Sequence, residues 1–285
     1  MANNISGDTA LFDQNFNEAV KAISAKKQIM KPLITVKSSR SAIETFYQES
    51  IVELVSDTNL PREAEFAADK VVYDVLNIRP RKFGLESRIA WEDTIVSNPD
   101  LMARTTFRIA NRIARDVDTN IYNAMTETQS AVNINSVATN AVWDLASSRT
   151  TRLPHEDIAK AINLITNSQL QAYDPTHLFV NPYEYAFLIS NDYIVGSFDA
   201  SSPDIMASGT MGRLLGLNVI SHPVVAADSA AVADPRKAVT WNQVADMQSE
   251  VIRDPGKWML LRAWEYGNSA LTDPKAVCLI TNTRT

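Results

Sequence analysis

The clearest pattern of hydrophobic and polar positions lies between residues 99 and 127 and predicts a long amphipathic helix. Asn98 is a suitable N-cap for it, and Pro99 suits the first helical position. At 1.5 Å per residue, a helix of about 28 residues is about 40 Å long. Its apolar side has helical spacing and consists of Met102, Ile109, Ala110, Ile113, Ala114, Val117 and Ile121.

The other side of this predicted helix carries four arginines, called the basic stripe: Arg104, Arg108, Arg112 and Arg115. Arginines at such spacings usually form a solvated helix face with ion pairs along it. Asp100 and Asp116, however, provide too few carboxylates on the same face to pair with all four arginines. The basic stripe is therefore equally a candidate contact for a partner, which is an acidic segment of a neighbouring subunit or nucleic acid.

Residues 41–96 have the pattern of a long two-stranded hairpin. Segments 45–55 and 71–78 are rich in β-branched and aromatic residues, and a polar stretch separates them. Residues 44–69 contain one arginine and seven acids, a sum of −6, namely Glu44, Glu49, Glu53, Asp57, Glu63, Glu65 and Asp69. A hairpin with so few apolar residues cannot form a core, so we expect it to lie on another surface.

Residues 1–40 form an arm with a sum of +3, from six basic and three acidic residues. Asp8 is a candidate cap of a short helix, and Pro32 prevents a helix from continuing. Two interpretations remain open. The arm is a solvated, partly disordered terminus, or it leaves its own subunit and lies along a neighbour.

The rest of the chain interleaves helices and strands without a regular βαβ series, which indicates the α+β class. The pattern predicts a helix at 154–172, a buried strand at 176–180 and a helix beginning at Asn181. Within residues 209–221, a turn that contains several glycines then leads into a strand. Two strands, 238–253 and 258–266, flank a type II turn at 254–257, and an apolar run at 276–280 closes the chain.

Composition argues against most enzyme classes and against a basic nucleic-acid coat. The 285 residues are 45% hydrophobic and carry a net charge of −6. There is one cysteine, Cys278, and only three histidines. No nucleophile-elbow, P-loop, zinc-protease or EF-hand motif is present. We therefore expect no catalytic residue, no cofactor and no metal site. No apolar run approaches 18 residues and no signal peptide is evident, so we expect no membrane partner.

Four phrases, in this order, resemble the major capsid proteins of tailed bacteriophages, which have the Hong Kong 97-type fold. The first is Val75-Leu-Asn-Ile-Arg-Pro-Arg-Lys-Phe with Ile89-Ala-Trp-Glu-Asp-Thr, and the second is His177-Leu-Phe-Val-Asn-Pro-Tyr-Glu-Tyr. The third is Met211-Gly-Arg-Leu-Leu-Gly-Leu-Asn-Val-Ile-Ser-His-Pro. The fourth is Tyr266-Gly-Asn-Ser-Ala-Leu-Thr-Asp-Pro-Lys-Ala-Val. The resemblance covers about residues 40–285.

The resemblance implies an α+β fold with an N-terminal arm, an E-loop hairpin, a long spine helix, a P-domain sheet and an A-domain. Its implied segments are the arm (1–40), the E-loop hairpin with the lead-in to the spine helix (41–96), the P-domain with the spine helix (97–153), the A-domain (154–235), the returning P-domain hairpin (236–272) and the closing A-domain strand (273–285).

The resemblance also implies a function, which is a capsid subunit that self-assembles into an icosahedral shell around phage double-stranded DNA. The implied partners are copies of itself in hexamers and pentamers, DNA held without sequence specificity, a portal, a separate scaffolding protein and a decoration protein. Assembly takes place in the host cytoplasm and the product is the virion capsid. The alternative is an encapsulin-like shell that holds protein cargo; a third possibility, an unrelated enzyme, is disfavoured by the missing motifs.

Three sets of residues follow as candidate sites. The hairpin acids are expected at contacts between subunits: Glu49, Glu53, Asp57, Glu63 and Glu65. The basic stripe is expected either between subunits or facing the genome. The arm lysines are expected to face the genome, because a chain of net charge −6 must turn bases towards DNA to limit repulsion: Lys21, Lys26, Lys27 and Lys31.

Overall fold

A computed structural model describes residues 5–50, 62, 65, 72–96, 100–127, 133–144, 152–167, 173–191, 193–194 and 211–284. The helices are α1 (Ile5–Lys27), α2 (Trp91–Val96), α3 (Asp100–Thr126), α4 (Pro154–Thr166), α5 (Pro182–Ile189) and α6 (Pro235–Ala238). The strands are β1 (Thr35–Ser38), β2 (Glu44–Ser50), β3 (Val72–Ile78), β4 (Arg81–Ala90), β5 (Asn135–Ala138), β6 (His177–Val180), β7 (Arg213–Leu214), β8 (Leu217–Ser221), β9 (Ser229–Ala233), β10 (Val239–Asp254), β11 (Trp258–Leu271) and β12 (Val277–Thr281).

The long amphipathic helix is confirmed as α3, with 27 residues from Asp100 to Thr126. Its apolar positions Ile109, Ile113 and Val117 are each at most 1% exposed, so the face predicted to be buried is buried. Asn98 and Pro99 lie outside the described residues. The predicted cap of α5 is also present, since the Asn181 side chain accepts a hydrogen bond from the Tyr183 N–H.

The chain divides into two compact units. Unit 1 comprises Met1–Glu44, Ile78–Ile121 and Trp241–Ser269, and unit 2 comprises Thr45–Asn77, Tyr122–Thr240 and Ala270–Thr285. This division groups residues 122–153 with unit 2, whereas the resemblance places them in the same domain as the spine helix.

Unit 1 is built on a four-stranded sheet with the order β1-β10-β11-β4. Strands β10 and β11 flank the predicted turn, where the Lys257 N–H donates to the Asp254 carbonyl and Gly256 has φ +77°. A positive φ at the third position defines a type II turn and favours glycine. Strand β4 pairs antiparallel with β11, so that Gly84 lies opposite Trp264.

Unit 2 contains a six-stranded sheet with the order β5-β12-β9-β6-β8-β7 and the two-stranded hairpin β2-β3. The central strand β9 is buried at all five positions. Helix α4 packs on β5 and β12. The Asp157 carboxylate on α4 accepts a hydrogen bond from the indole N–H of the fully buried Trp143. The mixture of helices and strands confirms the α+β class.

Candidate assembly and polyanion-contact surfaces

All four arginines of the basic stripe are exposed on the outer face of α3. The Arg112 guanidinium pairs with Asp116 at 3.2 Å, one helical turn away. Both partners are substantially exposed, so this pair contributes little to stability. The stripe therefore presents a largely positive face, and its helix is held in place by the apolar side buried in unit 1.

The end of the arm and the basic stripe meet at Phe107. The Lys27 ammonium, at the end of α1, lies 5.5 Å from the centre of the Phe107 ring. The ring is 44% exposed, and Ala103, Arg104 and Arg108 line the same shallow hollow. Lys27 of the arm and the first arginines of the basic stripe, about 80 residues apart in the sequence, thus lie side by side on a surface that we call the basic surface.

The arm packs on its own subunit through residues 16–34. Phe16, Val20 and Met30 are at most 6% exposed, and the Ser249 hydroxyl lies 3.2 Å from the Asn17 side-chain oxygen, to which it donates. A solvated terminus does not describe this part of the arm, and residues 16–34 do not leave their own subunit. A contact of the arm with a neighbouring subunit stays a prediction.

Lys31 differs from the other arm lysines because it is held inside unit 1. Its ammonium pairs with the fully buried Glu265 carboxylate and lies 5.8 Å from the centre of the Trp241 ring. The Gln28 amide donates to the second Glu265 oxygen at 2.9 Å. With its side chain only 13% exposed, Lys31 is not available to a genome. Lys21, Lys26 and Lys27 are exposed.

A second buried carboxylate fixes the chain where the arm leaves α1. Asp118 on α3 accepts hydrogen bonds from the Ile29 N–H at 2.9 Å and the Met30 N–H at 3.1 Å. Burial, with a smaller contribution from the nearby Glu265 carboxylate, raises the pKa of Asp118 to about 6, against the lowering effect of these hydrogen bonds. Asp118 and Glu265 together form the arm anchor. The sequence analysis missed both residues.

The acids of the hairpin tip lie mostly outside the described residues. This applies to Glu53, Asp57 and Glu63 and to the side chain of Glu49, whereas Glu65 is exposed. Their predicted contact with a neighbour therefore stays a prediction.

The base of the hairpin packs on its own subunit. Phe46 is 8% exposed and Gln48 is fully buried, and the Gln48 amide donates to the Leu271 carbonyl. Alternation along a strand explains this, since every second side chain of β2 is buried against the rest of unit 2.

The described residues contain no cluster of three or more histidine, cysteine or acidic side chains that could hold a metal ion. Cys278 is buried, and burial raises the pKa of its thiol to about 12. A thiol with so high a pKa is a poor nucleophile at neutral pH. Within the described part of the chain, no helix has the length and apolarity that a membrane crossing requires.

Comparison with known proteins identifies the family of this chain. A family model described as phage capsid protein matches residues 73–280. The chain belongs to the phage capsid protein family. No curated protein matches the chain.

Solved structures similar to this capsid protein share its fold at low sequence identity. The capsid structure of the cyanophage P-SCSP1u has a TM-score of 0.68 and 14% identity, and the match covers 89% of this chain and 88% of that one. A structure of Mycobacterium phage Che8 has a TM-score of 0.68 and 16% identity, with 90% and 92% covered. A virus-like particle from Pyrococcus furiosus has a TM-score of 0.65 and 11% identity, with 94% and 99% covered.

These findings confirm the resemblance to tailed-phage major capsid proteins and the Hong Kong 97-type fold. The capsid protein is a structural subunit that associates with copies of itself in the virion shell. An encapsulin-like shell is not the better-supported alternative, because the family match is to phage capsid proteins.

Proposed function

We propose that this capsid protein forms hexamers and pentamers of an icosahedral shell and that its basic surface contacts packaged double-stranded DNA. The observation that carries the DNA contact is the junction at Phe107, where Lys27 meets the basic stripe. A chain of net charge −6 repels DNA unless its bases are concentrated on one side. Exposed arginines and lysines on a rigid helix suit contacts to phosphate, which carry no sequence preference.

Within this proposal, each of the exposed bases Lys21, Lys26 and Lys27 and the four arginines of the stripe faces the genome. The acidic hairpin tip lies on an adjacent subunit, where opposite charges steer association. Portal, scaffolding and decoration proteins are further partners that the family resemblance supports, and assembly takes place in the host cytoplasm.

We expect the triple variant Lys27→Gln, Arg104→Gln and Arg108→Gln to bind a short DNA duplex more weakly than the native protein. Each phosphate that the protein no longer neutralises reduces the slope of log affinity against log salt by about 0.9, so three such phosphates reduce it by about 2.7. Fluorescence anisotropy of a labelled duplex, titrated with unassembled protein at several salt concentrations, measures both quantities.

The matched control removes three exposed bases elsewhere, with Arg213→Gln, Arg236→Gln and Lys257→Gln. It lowers the net charge equally and should leave the salt slope almost unchanged. Equal effects of the two triple variants would show that only total charge matters and would contradict a dedicated DNA-contact surface.

A further inference from the structure

The arm anchor carries more negative than positive charge, although it lies inside unit 1. The carboxylates of Asp118 on α3 and Glu265 on β11 are both fully buried. Among the described residues, one cation pairs with these acids, the Lys31 ammonium from the arm. The carboxylate of Asp246 on β10 also faces this ammonium at 3.7 Å, but its side chain is 63% exposed to solvent. Two buried acids therefore share one base, which leaves the buried cluster one negative charge in excess.

The excess charge belongs to Asp118. The Glu265 carboxylate is compensated by the Lys31 ammonium, with which it forms the ion pair. Asp118 instead accepts hydrogen bonds from the backbone N–H groups of Ile29 and Met30, at 2.9 Å and 3.1 Å. Backbone N–H groups are neutral donors, so they satisfy the lone pairs of a carboxylate without cancelling its charge. The arm thus covers Asp118 with donors but brings it no cation of its own.

A proton bound to Asp118 removes this excess charge. An unpaired charge in a dry interior is costly, and a buried acid escapes that cost by becoming neutral. Burial raises the pKa of Asp118 to about 6, whereas the ordinary value for an aspartate is 3.8. The carbonyl oxygen of a protonated Asp118 still accepts a hydrogen bond from the arm. Undocking residues 28–31, of which Met30 is 1% exposed, would return Asp118 to water and to its ordinary pKa.

We propose that docking of residues 28–31 on the arm anchor takes up one proton at Asp118, so that the arm is held more firmly in mild acid than at neutral pH. The docked state has the higher proton affinity. Docking therefore strengthens as the pH falls through about 6, and the gain is lost as the pH rises through that value. This proton-linked latch does not depend on DNA contact at the basic surface.

The latch also sets the position of one member of the basic surface. Lys27 directly precedes the docked residues, and its ammonium lies 5.5 Å from the centre of the Phe107 ring. Because one peptide bond joins Lys27 to the docked segment, loosening of residues 28–31 at neutral pH loosens the Lys27 contact as well. The proton on a buried aspartate is thereby linked to the order of an exposed lysine on the subunit surface.

Hydrogen exchange of the arm measures the strength of docking in the native protein. Mass spectrometry follows a peptide that contains residues 28–34, and the intrinsic exchange rate at each pH, divided by the observed rate, gives a protection factor. With Asp118 at its docked and ordinary pKa, protection should be about fourfold higher at pH 5.5 than at pH 7.5. Both pH values lie above the isoelectric point of about 5.2, and light scattering checks that the state of assembly is the same at both. Equal protection, or weaker protection at pH 5.5, would overturn the proposal.

Two variants show whether Asp118 is the group that takes up the proton. Asp118→Asn keeps one oxygen that accepts from the arm but cannot titrate, so its protection should be the same at both pH values. The matched control is Asp116→Asn on the same helix. Asp116 is 41% exposed and pairs with Arg112, so this variant should retain the fourfold difference. A difference that survives in Asp118→Asn, or disappears in Asp116→Asn, would show that another group controls docking and would overturn the proposal.

A second measurement needs no variant, so the test stays decisive if Asp118→Asn fails to fold. Infrared spectroscopy of the native protein detects the carbonyl band of a protonated carboxyl group. We expect a component of this band to grow with a midpoint near pH 6 as the pH is lowered, because ordinary aspartates titrate about two units lower. A spectrum with no component whose midpoint lies above about pH 5 would overturn the proposal.

Discussion

Gly267→Ala should lower the free energy of unfolding by about 2–3 kcal/mol, because overpacked core positions carry penalties of this size. Gly267 lies on β11, and a Cβ there would sit 2.7 Å from the Asn242 backbone oxygen and 2.7 Å from Cζ2 of Trp241. Real Cβ atoms do not come so close to other atoms, and Trp241 is fully buried. The sheet of unit 1 must shift to admit even one methyl group.

The matched control is Gly212→Ala. A Cβ at Gly212 would meet nothing within 4 Å, so this change should alter stability by less than about 0.5 kcal/mol. Guanidinium unfolding followed by tryptophan fluorescence, at matched protein concentration, measures both variants. A Gly267→Ala midpoint equal to that of Gly212→Ala would show that β10 and β11 are not packed as closely as described.

The second large effect is expected at the arm anchor. Lys31→Met leaves the fully buried Glu265 carboxylate without its cation. Breaking a buried ion pair by removing one partner typically costs about 3–5 kcal/mol, so we expect a loss of about 3 kcal/mol at neutral pH.

Two variants delimit this interpretation. Lys37→Met breaks the ion pair between Lys37 and Glu44. Because the Lys37 side chain is 54% exposed, this change should leave the unfolding midpoint unchanged. Lys31→Met with Glu265→Met replaces both charges by apolar side chains and should recover most of the stability. If Lys31→Met alone unfolds at the same midpoint as the native protein, then Lys31 does not hold the arm.

The fold features that the sequence predicted are those set by local patterns. The periodicity of apolar residues predicted α3, and Pro255-Gly256 predicted the turn between β10 and β11. Strand β4 was not distinguished from the hairpin that precedes it, because its alternation is weak and its position depends on pairing with β11. The division into two units was not visible either, since each unit combines three separate segments of the chain.

The candidate surfaces show the same limit. The basic stripe follows from helical spacing within one element, and the structure shows it exposed. Its junction with Lys27 depends on how α1 lies against α3, which no local pattern contains. The arm anchor joins Gln28 to Glu265 across 237 positions. Buried carboxylates of this kind look like ordinary surface acids in a sequence, because only their surroundings make them exceptional.

The central claim is that the chain is a shell subunit, and the mass of the purified protein tests it most directly. Size-exclusion chromatography with light scattering, at micromolar concentration and physiological salt, gives the mass in solution, and electron micrographs of the same fractions show the form. We predict rings or closed shells with masses of many multiples of 31.6 kDa. A single stable species of 31.6 kDa would contradict the account.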